Sequence, residues 1–389
     1  MEKNVMLMVP LLDQGGLERI CAMTAKLLTP YCHLTLVVFS TKGMIYDVDG
    51  VDMIDLNLGS VPGKVGKAVN LCKRIRAIKK IKRERNIEIT YSFGPTANLA
   101  NVFTRVKDKI WVGIRGYGAL QDKNSMKRLC RRADRVICCS KVMADDVKNQ
   151  FGAKDVVCVY NPCDVESIRR LAEEPLPADS QKFFDTGAPV VAAMGREHDV
   201  KGFWHLIKAF ALAKKKIPAL KLMIVGEGTF AEYRKLAEDL QVEQDVWFTG
   251  VQKNPFAYLK QASLFVMTSV SEGFPNSLIE AMAVGLPAMS VNCKTGPAEI
   301  FLDDYRKGGD EHTVIEGEYG VLLPVINPKK NIDASVIEKE EKIMAEQMVS
   351  MLENTKKLEY AGNISEARAC FFNGQNYCKK LLDMIYERE

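Results

Sequence analysis

The 389-residue chain reads as an α/β protein built from two doubly wound, parallel-sheet domains in tandem. Three observations predict this. Short apolar runs of strand length alternate with helical patterns in both halves, as parallel sheets with crossover helices require. The alternation is broken once, at Pro175–Ala188, where two prolines, a glycine and several polar residues show no periodicity. The chain is also too long for one ordinary core.

The first half yields six strands. Val5–Pro10 is an unbroken apolar run closed by proline, and Leu34–Phe39 is β-branched and aromatic. Ile87–Tyr91, Lys109–Ile114, Arg135–Cys139 and Val156–Tyr160 follow, with helical patterns such as Leu17–Leu28 and Lys64–Arg85 between them. After the break the strands are Pro189–Met194, Lys221–Val225, Val246–Thr249, Leu264–Met267, Pro287–Val291 and Tyr319–Leu323. Phe203–Leu212 reads as a helix, and Ile337–Tyr386 is helical throughout. The expected domains are therefore 1–165 and 189–369, with a linker at 166–188 and a terminal stretch at about 370–389.

Composition narrows the class. Hydrophobic content of 47% and charged content of 26% are globular values. No apolar run approaches the ~18 residues of a membrane span. Val5–Pro10 is too short for a signal-peptide core, so a cytoplasmic protein is expected. Eleven cysteines without a C-x-x-C pair, two of them adjacent at Cys138-Cys139, read as reduced and mostly buried thiols. The four histidines, His33, His198, His205 and His312, are too scattered in sequence to suggest a metal centre. Residues 1–164 hold 27 Lys and Arg against 16 Asp and Glu, a net charge of +11, while the remainder carries −6. The halves are electrostatically different objects.

Chemistry concentrates at Glu272-Gly-Phe-Pro-Asn-Ser-Leu-Ile-Glu280, between the strand Leu264–Met267 and a helix expected over Ser277–Val284. A strand–turn–helix joint places the helix's first N–H groups and positive dipole end at the carboxyl edge of the sheet, where phosphates bind. Ser277-Leu-Ile-Glu280 also fits a capping box, in which Glu280 would only satisfy an orphan N–H. Arg196 follows the strand Pro189–Met194 almost directly, and Lys201-Gly202 opens the next helix, so both cations sit at the same sheet edge. The only D-x-D, Asp47-Val48-Asp49, precedes Gly50 and reads as a turn rather than a metal site.

These stretches resemble, in order, the landmarks of the family 4 retaining glycosyltransferases of GT-B fold. They are Gly15-Gly16-Leu17-Glu18-Arg19, Gly195-Arg196 with Lys201-Gly202, Gly226-Glu227-Gly228, and Glu272 with Glu280 as an E-x7-E motif. The resemblance implies two Rossmann-like domains facing each other across a cleft, the first for the acceptor and the second for a nucleotide sugar, with the last helix crossing back to the first. It implies that Glu272 holds hydroxyls of the donor sugar and Glu280 the ribose diol, and that Arg196 and Lys201 hold the diphosphate. Backbone groups of Phe274, Asn276 and Ser277, on a turn fixed by Pro275, would line sugar and phosphate. Gly195 belongs to the diphosphate loop, Gly226 and Val251 would flank the base, and Gly15 and Gly16 would admit the ligand to the first domain. One departure stands out. Ile114-Arg115-Gly116 occupies a place where many relatives carry histidine, and Arg115 can donate to a hydroxyl or phosphate but cannot act as a base.

Between Lys64 and Arg85 there are ten basic residues and one acid, Glu84, with apolar residues at Val65, Ala68, Cys72, Ile75 and Ile78 read as the packing face. Lys127, Arg128, Arg131 and Arg132 form a second cluster. Without aromatic interleaving, nucleic acid is not expected. An anionic bilayer is, with Lys73, Arg76, Lys80, Arg83, Lys127 and Arg131 as contacts, each contributing about 1 kcal/mol near the surface.

The reading is a retaining, metal-independent glycosyltransferase. The expected donor is a nucleotide-diphosphate sugar, a UDP-sugar for preference, and no cofactor is expected. The acceptor would be a lipid-linked or polysaccharide-precursor glycan, met at the inner face of the cell membrane. Its rivals are a sugar-nucleotide epimerase, against which the E-x7-E turn argues, and a catalytically silent partner of another transferase.

Overall fold

The computed structural model describes residues 2–13, 15–309 and 312–388. The chain divides into two compact units, Met1–Pro162 with Gly374–Glu389, and Cys163–Asn373.

The first unit is a seven-stranded parallel sheet. Its strands are β1 (Asn4–Val9), β2 (His33–Val38), β3 (Asp52–Asp55), β4 (Ile89–Phe93), β5 (Lys109–Ile114), β6 (Arg135–Cys138) and β7 (Val156–Cys158). They lie in the order β3-β2-β1-β4-β5-β6-β7. The chain winds outward from β1 in one direction and then returns to wind in the other. The switch therefore falls between β1 and β4, whose carboxyl ends open a crevice. Apolar residues of β1 and β2 pack under the helix Gly16–Leu28, and that core is completed by Tyr377, Cys378, Leu381 and Ile385 of the helix Gly374–Ile385.

The second unit repeats the plan. Its strands are β8 (Val190–Met194), β9 (Lys221–Val225), β10 (Val246–Gly250), β11 (Leu264–Met267), β12 (Ala288–Val291), β13 (Ile315–Glu316) and β14 (Val321–Leu323). The order is β10-β9-β8-β11-β12-β14-β13, parallel except that β13 runs antiparallel to β14. Here the switch lies between β8 and β11. The helix Phe203–Lys214 is buried on almost every side, which explains its run of aromatic and aliphatic residues.

Two expectations need correction. Residues 166–188, expected as a linker, carry a helix at Val165–Ala172 and a short one at Ala178–Gln181. Phe183 and Phe184 then pack on Trp247 of β10, and Lys221 donates to the Phe183 carbonyl at 2.7 Å. The stretch is thus an apolar strap over an edge strand, and the unit boundary lies after Pro162 rather than at 165.

The second correction concerns the basic helix, Lys64–Glu84. Its buried positions are Asn70, Arg74, Ile78 and Lys82, whereas Val65, Ala68 and Cys72 are exposed. Arg74 donates to the carbonyls of Leu58 and Gly59 and lies 4.5 Å from the Phe39 ring. Lys82 donates to Asp108 at 2.7 Å and to Asn101 at 3.1 Å, with both members of the ion pair fully buried. The inward face was misread because its partners are backbone carbonyls and a carboxylate supplied by other segments. Burial is also felt in its proton affinity: desolvation outweighs Asp108 and holds the Lys82 ammonium down to about 8.

Candidate functional site

In the second unit the site residues follow the sheet strand by strand at its carboxyl edge. Gly195, Arg196 and Lys201 come after β8, Gly226 after β9, Val251 after β10, and the Glu272–Ser277 turn after β11. The two charged loops therefore flank the switch point. That is the place where open α/β sheets bind ligands.

Lys201 Nζ donates to Glu272 Oε1 at 2.7 Å, and both side chains are largely shielded, 21% and 15% exposed. The geometry is built in from several sides. Gly202 has φ +61°, and a Cβ there would lie 2.3 Å from the Thr268 carbonyl, so the turn carrying Lys201 needs glycine. Thr268 Oγ1 donates to the Lys201 carbonyl at 2.8 Å, and Val270 N donates to the Val200 carbonyl at 2.9 Å, tying the β8 loop to the β11 loop. Lys330 anchors the same loop from outside through Asp199 at 3.1 Å. The Lys201 stem runs over Gly195, and the Gly226 backbone lies too close to the Gly195 carbonyl for any Cβ between them. Arg196 is exposed at the rim.

The helix after the turn is Asn276–Ala283, with Pro275 as N-cap and no capping side chain. Ser277 is its second residue, so the capping-box reading of Ser277 and Glu280 falls away. The helix start, Asn276 and Ser277, follows β11 at the carboxyl edge of the sheet. Glu280 is buried one turn further in. Phe274 is also buried and packs edge-on against Phe372, with ring centroids 5.3 Å apart. Val251 is 58% exposed, and Gly226 lies between it and the β8 loop along the sheet edge.

Sequence reasoning missed the residues that hold this turn. Thr295 is buried, and its Oγ1 donates to the Glu272 carbonyl. Gly296 packs directly on the Pro275 ring. Both lie in the loop after β12, the strand beside β11. Cys293, in the same loop, is fully enclosed, and burial pushes its thiol up, out of reach of ordinary titration. A polar residue just after a strand is the only linear hint of Thr295.

The remaining predicted residues belong to the first unit. Gly15 precedes the helix Gly16–Leu28, and its carbonyl accepts from Tyr46 Oη at 3.0 Å. The Glu18 carboxylate folds back onto Gly15, where a Cβ would collide with it. Arg115 follows β5 and is turned inward. Nη1 donates to Asn161 at 2.9 Å and to the Val159 carbonyl at 3.2 Å, and Nη2 donates to Tyr91 Oη. The guanidinium also lies 5.5 Å from the Phe93 ring. In this position it ties β4, β5 and the end of β7 together. Lys73, Arg76, Lys80, Arg83, Lys127 and Arg131 are all exposed, Lys80 beside Glu84. Asp47 accepts from Asp49 N at 2.8 Å, a turn.

Among the described residues, one group lies close enough to hold a metal ion: His205, Glu338 and Glu341. His205, expected to stand alone, thus has two carboxylate neighbours. Its Nδ1 is 2.7 Å from Glu341 and its Nε2 2.9 Å from the Asn327 carbonyl, so both ring nitrogens already serve the protein. A cavity of about 680 Å³ lined by Lys3, Lys82, Glu88, Lys109, Tyr386 and Glu387 lies at the opposite, amino edge of the first sheet.

Two family patterns match the chain in succession: Glycosyltransferase Family 4 over residues 14–167, and Glycosyl transferases group 1 over residues 177–334. The chain belongs to the family 4, group 1 glycosyltransferases. This glycosyltransferase is 31% identical to an uncharacterized glycosyltransferase of Methanocaldococcus jannaschii over 54% of its own length and 53% of that protein. It thus spans about half of that relative. It is 26% identical, over 93% of each chain, to the N-acetylgalactosamine-N,N'-diacetylbacillosaminyl-diphospho-undecaprenol 4-alpha-N-acetylgalactosaminyltransferase of Campylobacter jejuni. Anabaena HepE, solved in complex with UDP and glucose, superposes with a TM-score of 0.74 at 17% identity, covering 99% of this chain and 100% of that one. That likeness establishes the GT-B fold. No helix of the described residues is long and apolar enough to cross a membrane.

Proposed function

We propose that this glycosyltransferase moves a sugar, with retention and without a metal ion, from a UDP-sugar to a lipid-linked or polysaccharide-precursor glycan. One observation carries the reading: a cation and a carboxylate from adjacent strands, Lys201 and Glu272, meet at the switch point of the second sheet, next to the start of the helix Asn276–Ala283. A departing nucleoside diphosphate gathers negative charge, and Arg196, Lys201 and the amides of Asn276 and Ser277 are arranged to stabilise it. Glu272 suits sugar hydroxyls, and Glu280 suits the ribose diol, because two carboxylate oxygens match two O–H donors. HepE's binding of UDP and glucose supports the donor class. The diphospho-undecaprenol substrate of the Campylobacter jejuni relative supports the acceptor class.

A lipid-linked acceptor requires work at a bilayer, and the helix Lys64–Glu84 suits one. Val65 and Val69 are 79% and 50% exposed, and exposed Lys64, Lys67, Lys73 and Arg76 accompany them. Apolar side chains among cations are what an anionic interface accepts. This exposure supports a peripheral position at the inner face of the cell membrane.

The test is a thermal-shift screen against UDP-, GDP- and ADP-sugars followed by donor hydrolysis with and without EDTA. A shift with the UDP-sugar and chelator-insensitive turnover are expected. Silencing by EDTA with rescue by manganese would overturn the metal-free mechanism. Vesicle sedimentation addresses the membrane. Replacing Lys73, Arg76, Lys80 and Arg83 by Ser should release the protein from anionic vesicles and leave donor hydrolysis unchanged.

A further inference from the structure

Lys201 and Glu272 are assigned above to different parts of one donor, the diphosphate and the sugar, yet in the free protein they are bound to each other. The contact is 2.7 Å, and neither side chain is more than about a fifth exposed. Neither can easily turn away. Lys201 is confined by Gly195 beneath its stem and by Thr268 on its carbonyl, and the Glu272 turn is held by Thr295 and Gly296.

We infer that Glu272 also makes the site discriminate against the spent nucleoside diphosphate. The inference rests on the donor-site reading above. A diphosphate arriving alone must draw on a lysine whose charge is already largely compensated. It also brings its own negative charge close to a carboxylate, and a shielded carboxylate deprived of its cation is costly. The intact nucleotide sugar meets the same obstacle but offsets it, because the sugar hydroxyls donate to Glu272. Breaking the glycosidic bond and losing the sugar therefore removes the compensation. The carboxylate that holds the donor then weakens the hold on what remains. Specificity of this kind comes from a repulsive element placed against the unwanted ligand.

The experiment is titration calorimetry with UDP, GDP and ADP, each paired with its glucose or mannose derivative, on wild type, Glu272→Gln, Lys201→Met and the double variant. Glu272→Gln keeps the shape and removes the charge. It should bind the free nucleoside diphosphate about tenfold tighter than wild type, a gain of about 1.4 kcal/mol. It should bind the nucleotide sugar no better, so the preference for the sugar form collapses. In the Lys201→Met background the same replacement should tighten diphosphate binding less than it does in wild type, because only the direct repulsion is then relieved and contacts that act as a pair are not additive. Wild-type binding of the diphosphate with no tightening in Glu272→Gln would overturn this inference and leave the donor site standing. Tightening that persists undiminished without Lys201 would overturn the role of the pair. If neither wild type nor Glu272→Gln binds any of the nucleotides, the donor-site reading falls and this inference with it.

Discussion

The two units have the same strand order around their switch points, yet they use charge in opposite ways. In the first, cations are spent on the fold. Arg74 is bound by the 58–59 carbonyls, Lys82 by Asp108, and Arg115 by Tyr91, Val159 and Asn161. In the second, Lys201 and Arg196 stand at the sheet edge, one against a carboxylate and the other at the rim. Topology decides where a ligand can bind. Which cations remain available to it is decided by local partners, and these differ between two otherwise equivalent sheets.

The comparison is broken most directly at Glu272, Lys201 and Arg196. Glu272→Ala should abolish transfer, as measured by turnover, and lower the unfolding midpoint less than Lys82→Met does, because the Lys201 it leaves unpaired keeps part of its hydration. Arg196→Ala and Lys201→Ala should each lower kcat by roughly 10²–10³-fold, about 2.7–4 kcal/mol. Wild-type turnover in any of the three would remove the assigned role. The first unit should answer in stability instead. Lys82→Met strands the Asp108 carboxylate and should cost about 3–5 kcal/mol in urea unfolding, whereas Lys73→Met, on the exposed face, should stay within about 0.5. The pH dependence has a definite sign. With the folded ammonium held down to about 8 and an unfolded value of ~10.4, the unfolded chain binds this proton more tightly. Stability of the wild type relative to Lys82→Met should therefore rise between pH 8 and 10. The smallest effect expected on catalysis is at Thr295. Thr295→Val removes one hydrogen bond, about 0.5–1.5 kcal/mol, and should lower kcat up to about tenfold with little change in donor KM. Thr295→Ser should restore it.

Much of this was legible in the linear sequence. β11, and β5 after its exposed first residue Lys109, are continuous apolar runs whose expected ends coincide with the observed ones, because burial on both faces leaves no room for polar residues. β3, with aspartates at both ends, and β13, two residues long, escaped notice as edge strands with little apolar content. Arg196, Lys201 and Glu272 were legible because each sits in the loop that follows a strand end, after β8 or β11. Thr295 and Thr268 were not, since each acts on a backbone carbonyl distant in sequence, 23 residues away for Thr295 and 67 for Thr268. Arg115 was recognised as a departure from its family, but its inward orientation depends on Asn161 and Tyr91, which only the folded sheet brings to it.

The helix Gly374–Ile385 has a consequence for how the protein is made. Its Tyr377 hydroxyl meets Thr24 Oγ1 at 2.7 Å, and its apolar face completes the core beneath the chain's first two strands. The ribosome thus emits the opening domain without its last piece, and then the whole of the other domain, before that piece arrives. Until then the apolar face of the helix Gly16–Leu28 that this piece covers stays exposed. A premature stop after Asn373 would leave that face open for good. Such a product should aggregate or be degraded through its beginning, although the lesion lies at its end.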